Sequence, residues 1–363
     1  MNAQKYYQID GKVRKNGSIM NNAETIAKAI SNSLNIIEQE REREIISRRF
    51  GLNGHKETLE QIGEMLSITR ERVRQLEKAI LIRLRIAAEE GKINDLAVAE
   101  KLIVRNLTEM GRVARTSDLA EKILGKKPTA IQKANFNFLG EISPVLSIVS
   151  ENDKYYGAIG IAEYGSEKEI RAKTDEIVSI IKANKAPLSI DELDEKLNYE
   201  HPSHIEAIAR VSKILSTLND QWGLAKWPTV NPKNIRDKIF VILEEHKEPM
   251  HFNDIAKAIS TSEFKRKNVT VQAIHNELIK DSRFVLIGRG IYALNSWGYS
   301  KGTVADIIAK ILKKAGDEGL SRKEIVKQVL KERKVKETTV LLNLQNKDLC
   351  TRVGKDHYKL TTK

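Results

Sequence analysis

The sequence has little of the chemistry that stabilises secreted or membrane proteins. Its 363 residues include one cysteine, Cys350, which excludes a disulfide framework and a thiolate-based zinc finger. Aromatic residues make up 5% of the chain, which favours several small aliphatic domains over one large core. The sequence has no run of about 18 apolar residues and no apolar N-terminal stretch typical of a signal peptide. We therefore expect a cytoplasmic protein without a membrane partner.

Catalytic motifs are also missing. The sequence has no GxxxxGK[ST] phosphate-binding loop and no GxSxG nucleophile elbow. His201 and His204 could hold a metal, but no cysteine or third histidine lies nearby in sequence, so a loop is the better interpretation. Asp237 and Glu245 fall in one amphipathic segment rather than on paired strands, which favours a solvated helix face over a metal nuclease. We predict no catalytic residue, no metal site and no cofactor.

The charge of the chain is positive and unevenly distributed. There are 62 Lys+Arg and 49 Asp+Glu residues, for a net charge of +13. Residues 301–363 contain 16 basic and 8 acidic residues, and residues 69–85 contain six basic and two acidic residues, whereas the middle of the chain is nearly neutral. Two separate basic regions fit two contacts with a phosphate backbone, although either could be a solvated helix face.

A helix-turn-helix pattern occupies residues 34–85. Its first part, 34–52, predicts one amphipathic helix. Thr58 followed by Gln61 is the capping box of a second, short helix, and Thr69 is suited to cap a longer third helix. The third helix has apolar residues at helical spacing, and these are predicted to face inward: Val73, Leu76, Ile80 and Leu84.

The first turns of the longer helix are rich in side chains that can read DNA. In a helix-turn-helix those turns enter the major groove. Arginine there pairs with guanine, glutamine pairs with adenine, and glutamate accepts a hydrogen bond from cytosine. Neighbouring basic side chains hold phosphates and set the register. The sequence TRERVRQLEK at 69–78 supplies all of these residue types.

The runs EREREIISRRFGL and ETLEQIGEMLSITRERVRQLEKAI resemble region four of the primary-type bacterial sigma factors. That domain reads the promoter −35 element and docks on the beta-subunit flap of RNA polymerase. The resemblance implies that Arg70, Glu71 and Gln75 face base edges. It also implies that Thr69 caps the recognition helix and contacts the DNA backbone, and that three further residues lie near phosphates or other protein: Arg72, Arg74 and Lys78.

The resemblance to a sigma factor is limited to one region. A complete sigma factor also needs an upstream domain that melts the −10 element, and the 33 residues before this segment leave no room for it. We treat residues 1–33 as an N-terminal extension and expect no stand-alone initiation factor. Two interpretations stay open: a sequence-specific regulator that binds double-stranded DNA, or an accessory protein that binds RNA polymerase core.

The rest of the chain shows the pattern of a repeated module. Four landmark positions, Tyr156, Leu224, Tyr292 and Tyr358, are spaced by 68, 68 and 66 residues. In the last repeat, three helical patterns precede a hairpin, which is the order of a winged helix. We therefore predict a mainly α chain with small β-hairpin wings, in which a helix-turn-helix domain (34–91) precedes four tandem winged helices. Their predicted ranges are 92–165, 166–230, 231–300 and 301–363.

Residues 235–294 and 303–360 resemble the HARE-HTH family of winged helices, which includes the amino-terminal domain of the RNA polymerase delta subunit. The resemblance rests on PMHFNDIAKAI, VQAIHNELIKDSRFVLIGRGIYAL and WGYSKGTV. Arg289 is expected at a wing tip, and the segment from Lys331 joins two helices and could follow a phosphate backbone. The candidates for secondary DNA contacts are therefore Arg289, Lys331, Arg333, Lys334 and Lys336. The expected location is the cytoplasmic nucleoid, and the oligomeric state is left open.

Overall fold

The computed structural model describes residues 8–9, 12–15, 18–197, 199, 201–264 and 268–361. Within them the chain is mainly α-helical, and it forms the predicted helix-turn-helix domain followed by four tandem winged helices. It divides into two compact units, Met1–Ala225 and Lys226–Lys363. No helix of the described residues has the length and apolar character needed to cross a bilayer. Some residues of the predicted N-terminal extension and of the last winged helix lie outside the described residues: 1–7, 10–11, 16–17 and 362–363.

The first unit begins with a small antiparallel sheet and four helices. Strands β1, β2 and β3 pair in that order. Helices α1 to α4 follow, and α3 and α4 form the helix-turn-helix. The bounds are β1 (Gln8–Ile9), β2 (Lys12–Lys15), β3 (Ser18–Asn21), α1 (Asn22–Asn35), α2 (Glu40–Phe50), α3 (Leu59–Leu66) and α4 (Arg70–Glu89).

Helix α1 is a departure from the sequence prediction, which placed residues 1–33 outside the folded domains and one helix over 34–52. The Asn21 side chain caps α1 by accepting a hydrogen bond from the Ala23 amide at 3.1 Å. The helix then buries Ile26, Ala29 and Ile30 in the core of the first unit. The prediction was wrong because a few apolar residues among polar ones suffice for a helix that packs on a larger neighbour.

The second half of the helix-turn-helix agrees with its prediction. Thr58 and Gln61 form the predicted capping box, and the Thr69 hydroxyl accepts from the Arg72 amide at 3.2 Å. The predicted inward stripe of α4 is confirmed, with Leu76 half-buried and the other three side chains buried: Val73, Ile80 and Leu84.

Two winged helices complete the first unit. The first has a three-stranded sheet in the order β4-β6-β5, and the second has the hairpin β7-β8. The first contains α5 (Leu96–Glu109), β4 (Val113–Arg115), α6 (Thr116–Leu124), α7 (Ala130–Ile142), β5 (Leu146–Val149) and β6 (Ala158–Ile161). The second contains α8 (Glu167–Asn184), α9 (Ile190–Leu197), α10 (Pro202–Val211), β7 (Leu215–Leu218) and β8 (Gln221–Leu224).

One hydrophobic core joins the helix-turn-helix to the first winged helix. Ile80 and Leu84 of α4 belong to the same buried cluster as Leu119, Phe138 and Ile159 of the winged helix. Close-packed interiors resist deformation, so α4 is held at a defined orientation to the first winged helix.

The second winged helix packs on the first through backbone contacts and one histidine. His204 is buried, and its Nδ1 lies 2.9 Å from the Gly111 carbonyl oxygen. The Tyr156 amide donates to the Val211 carbonyl at 2.8 Å. The predicted loop at 201–204 is wrong, because α10 starts at Pro202 and the His201 side chain caps it. His201 caps a helix and His204 packs between two domains. Neither role leaves a signal in the local sequence, so both residues resemble histidines of a surface loop.

The second unit contains two winged helices with the same order of elements. Their sheets have the strand orders β10-β11-β9 and β12-β14-β13. Cys350 is buried in the core of the last domain, as predicted. The third domain contains α11 (Ile235–His246), β9 (Met250–His251), α12 (Phe252–Thr261), α13 (Val271–Lys280), β10 (Phe284–Gly288) and β11 (Ile291–Leu294). The fourth contains α14 (Val304–Ala315), β12 (Leu320–Ser321), α15 (Arg322–Glu332), α16 (Glu337–Leu344), β13 (Cys350–Arg352) and β14 (His357–Leu360).

Asp237 does not lie on a solvated face, contrary to the sequence prediction. Its carboxylate is mostly buried and lies 3.2 Å from the Arg283 guanidinium, which also pairs with Asp281 at 2.8 Å. The hydrogen bonds from Arg283 lower the pKa of Asp281. The ion pair between Asp237 and Arg283 joins α11 to the start of β10, so Asp237 has a structural role in the third winged helix.

We predict that Ile26→Ala lowers the free energy of unfolding of the first unit by about 2–5 kcal/mol, because it leaves a cavity in the shared core. Urea denaturation measures this change. The control is Ile131→Ala, since Ile131 is exposed on α7, and we expect its effect to stay within about 0.5 kcal/mol. Equal stability of the two variants would contradict the packing of α1 against the core.

Candidate nucleic-acid interface

The candidate interface is the start of α4. All seven predicted residues of this segment have exposed side chains: Thr69, Arg70, Glu71, Arg72, Arg74, Gln75 and Lys78. They lie opposite or beside the buried stripe of the same helix. The structure therefore brings the predicted base-reading and backbone residues together on one accessible surface.

A close approach of α3 to the turn places this surface. Ser67 has φ 53° and ends α3 in the left-handed conformation, and the Ile68 amide donates to the Gly63 carbonyl at 2.9 Å. A Cβ at Gly63 would lie 2.8 Å from the Ile68 carbonyl oxygen, which is shorter than a van der Waals contact. The Arg41 guanidinium donates to the Leu66 carbonyl at 2.6 Å and holds the end of α3.

Hydrogen bonds connect the polar side chains of this surface in the free protein. The Arg74 guanidinium donates to both carboxylate oxygens of Glu71, at 2.8 and 2.7 Å. Long contacts of 3.5 and 3.4 Å extend the network from Glu71 to Gln75 and from Gln75 to Arg72. The hydrogen bonds from Arg74 lower the pKa of the Glu71 carboxyl. Glu71 thus orients Arg74 and is not a free acceptor.

Arg70, Arg72 and Lys78 are the cations of this surface that are not paired with a carboxylate among the described residues. None of the three forms an ion pair within the part of the chain that the structure describes, and Arg72 makes only a long contact of 3.4 Å to the neutral Gln75 side chain. The α-helix also begins here, and its N-terminus carries a partial positive charge from unpaired amides. The surface therefore combines three cations that have no ion-pair partner in the described chain with a helix N-terminus, which suits a polyanionic ligand.

Three ion pairs that sequence reasoning missed hold α2 against its neighbours. Arg49 of α2 pairs with Glu77 of α4 at 3.1 Å. Arg83 of α4 pairs with Glu42 of α2 at 2.5 Å. Arg48 contacts Glu57 in the loop before α3 at 2.7 Å. These residues were visible only as alternating charges in the sequence, because their partners lie on different elements.

An exposed apolar pair on α4 was also missed. Ile82 and Ile86 are 50% and 49% exposed. They follow Gln75 at helical spacing along the outward face of α4. A signal was present in the sequence, since the assignment of Ile80 and Leu84 to the inward stripe leaves Ile82 and Ile86 on the outside.

The predicted secondary contacts lie in the second unit. Arg289 is exposed at the turn between β10 and β11, and Lys331, Lys334 and Lys336 are exposed near the end of α15 and before α16. Arg333 is a correction. Its side chain is buried, and its guanidinium donates to the Leu286 carbonyl at 2.9 Å and to the Gly302 carbonyl. A guanidinium held by two carbonyls between two domains cannot follow a phosphate backbone.

No group of three or more His, Cys, Asp or Glu suited to a metal ion occurs among the described residues.

Comparison with known proteins gives two family matches. Residues 39–85 match the family model "Sigma-70, region 4", and residues 235–297 match the family model HARE-HTH, a helix-turn-helix domain named after ASXL proteins and restriction endonucleases among others. Both resemblances inferred from these segments are confirmed, and the matches support DNA binding and a function related to transcription. The resemblance of residues 303–360 to the second family stays a prediction, supported by the shared order of elements.

Curated relatives are similar over the first of these segments. "RNA polymerase sigma factor SigA" from Bacillus sp is 40% identical over 57 residues, which is 15% of this chain and 15% of the relative. "RNA polymerase sigma factor sigB" from Arabidopsis thaliana is 38% identical over 61 residues, which is 16% of this chain and 11% of the relative. The chain thus covers less than a sixth of either relative.

We predict that Gly63→Ala destabilises the helix-turn-helix by about 1–3 kcal/mol, because the added methyl group meets the Ile68 carbonyl and the turn must shift. Denaturant unfolding of the variant measures the loss. Gly157→Ala is the matched control, since a Cβ there lies no closer than 3.7 Å to other atoms. A Gly63→Ala protein as stable as the control would show that α3 and the turn are not closely packed.

Proposed function

We propose that this chain is a sequence-specific regulator of transcription that reads double-stranded DNA through α4. The observation that carries the proposal is the exposure of seven polar residues between 69 and 78 on a helix whose opposite stripe is buried in two hydrophobic clusters. A helix anchored in this way can enter the major groove without rearrangement of the fold. The proposed role needs no catalytic group and places the protein at the nucleoid.

The residues of α4 divide into three roles. Arg70 and Gln75 contact base edges, since a guanidinium suits guanine and a carboxamide suits adenine. Glu71 either accepts from a cytosine or keeps its pair with Arg74, which then contacts phosphate. The N-cap Thr69 and the remaining polar side chains of α4, Arg72 and Lys78, contact the sugar-phosphate backbone of the DNA.

The winged helices of the first unit extend this arrangement. Because the first of them shares a core with α4, any contact that it makes with DNA or protein has a defined position relative to the reading helix. We propose that these domains provide spacing and additional contacts, while sequence readout resides in α4.

We expect Arg70→Ala and Gln75→Ala to weaken binding to the preferred site by about 1–3 kcal/mol each and to relax the base preference. Selection of bound sequences from a random duplex pool identifies that site, and titration of labelled duplexes measures the loss. Lys78→Ala is the control for a phosphate contact and should weaken binding equally on all sequences. If Arg70→Ala weakened binding to random DNA as much as binding to the preferred site, direct base readout by Arg70 would be refuted.

The salt dependence of DNA binding distinguishes phosphate contacts from base contacts. Each phosphate contact releases counterions, so the logarithm of the binding constant falls linearly with the logarithm of salt concentration. Lys78→Ala should make this slope shallower by about 1, whereas Gln75→Ala should leave it unchanged. Binding that does not change with salt would contradict a phosphate-contacting surface.

A second candidate function is supported by the exposed pair Ile82 and Ile86 and by the similarity to proteins named as RNA polymerase sigma factors. Exposed aliphatic side chains beside a DNA-reading surface are typical of a protein contact. In this alternative the chain is an accessory protein of RNA polymerase core that docks through its sigma-like domain on the beta flap.

For this alternative, the double variant Ile82→Ser/Ile86→Ser should lose co-purification with polymerase core after nuclease treatment while it retains DNA binding. The loss follows from removal of the apolar area that a partner would bury. Ile131→Ser replaces another exposed isoleucine of the same unit and serves as the control. Co-purification that is unaffected by the double variant would argue against docking through α4.

A further inference from the structure

The third and fourth winged helices contact each other through a strand edge. The segment between α15 and α16 lies along β10, which is an edge strand of its sheet. The Lys334 amide donates to the Ile287 carbonyl at 3.2 Å, and Arg333 donates to the carbonyl of Leu286. A Cβ at Gly288 would lie 2.8 Å from the Lys334 carbonyl oxygen. The wing of the third domain is therefore partly used for docking of the fourth.

This docking leaves a groove of about 1310 Å³ within the second unit. One wall consists of the end of α13 and the β10–β11 hairpin, and the other consists of residues 301–306 and 333–339. Small-molecule sites usually measure about 300–1,000 Å³. The groove is larger than these, so it suits a segment of a polymer.

The groove presents apolar side chains to solvent. Ile279 and Leu286 line it and are 64% and 45% exposed. Leu286 projects from the docked strand, and Ile279 stands on the last turn of α13. Phosphate groups do not cover aliphatic side chains, whereas a protein partner gains free energy when it buries them.

The rim of the groove carries a strong positive charge. Five exposed cations line it, and no ion pair of theirs occurs among the residues that the structure describes. The two carboxylates of the lining are already engaged, since Asp281 pairs with Arg283 and Asp306 caps α14 at Thr303. The five cations are Lys280, Arg289, Lys301, Lys334 and Lys336.

We propose that this groove binds an acidic protein segment that carries apolar side chains. An apolar centre surrounded by a polar rim is the general anatomy of a protein interface. The uncompensated cations of the rim select acidic residues through charge complementarity. The apolar residues of the partner bury Ile279 and Leu286. Three of the cations that the sequence suggested for DNA, Arg289, Lys334 and Lys336, thus form part of a surface for protein.

The test is a titration of the full chain with a fluorescein-labelled amphipathic peptide of glutamate and leucine, followed by fluorescence anisotropy. The double variant Ile279→Ser/Leu286→Ser should weaken binding by about tenfold or more, because each side chain loses its buried area. Lys334→Glu/Lys336→Glu should weaken binding at least as much. All variants are checked by thermal unfolding, and the exposed positions predict unchanged stability.

Two matched controls and one competitor decide between peptide and nucleic acid. Leu342→Ser replaces a leucine of α16 that is 65% exposed outside the groove, and Lys323→Glu/Lys327→Glu reverses two exposed charges of α15. Both should bind the peptide like the unchanged chain. Failure of the unchanged chain to bind the peptide, or equal binding of a peptide with serine in place of leucine, would overturn the proposal. So would a short duplex that competes at the groove and loses affinity only in the charge-reversed variant.

Discussion

Burial of one stripe of α4 at both ends of the helix is the constraint on which the first unit depends. Near its start, Val73 packs with Ile45 and Ile62 in the small core of the helix-turn-helix. Further along, Ile80 and Leu84 enter the larger core that extends through the first winged helix. A helix fixed at two places cannot rotate about its axis without exposing one of these sets. The same packing therefore determines which side chains of residues 69–78 face solvent.

An ion pair on the exposed face of α4 restricts one of the side chains that packing leaves at the surface. The polar surface of α4 is not a row of independent charges, because Arg74 is held by Glu71 while Arg70 and Lys78 have no such partner among the described residues. An exposed ion pair of this kind contributes little to stability, but it limits the rotamers that Arg74 can adopt. The surface therefore contains one preorganised cation, Arg74, beside cations whose side chains keep their rotamer freedom.

The second unit uses a related fold for a different kind of surface. Its third winged helix docks the fourth on the edge strand β10, and Arg333 joins them through carbonyl oxygens rather than a carboxylate. Desolvation lowers the pKa of Arg333, because burial disfavours the charged form of the guanidinium. The docking shields part of a sheet edge from unwanted strand pairing and creates a groove where basic residues surround exposed aliphatic ones.

The sequence by itself determined the local elements with strong signals: the capping box at Thr58, the cap at Thr69, the inward stripe of α4 and the order of elements in the winged helices. These depend on neighbours within a few positions along the chain, so periodicity and motif resemblance suffice. Only the tertiary structure decided that α1 belongs to the core, that Arg333 is buried between domains, and that Asp237 pairs with Arg283. Burial depends on which distant elements pack together, and composition near a residue carries no record of its partners across the fold.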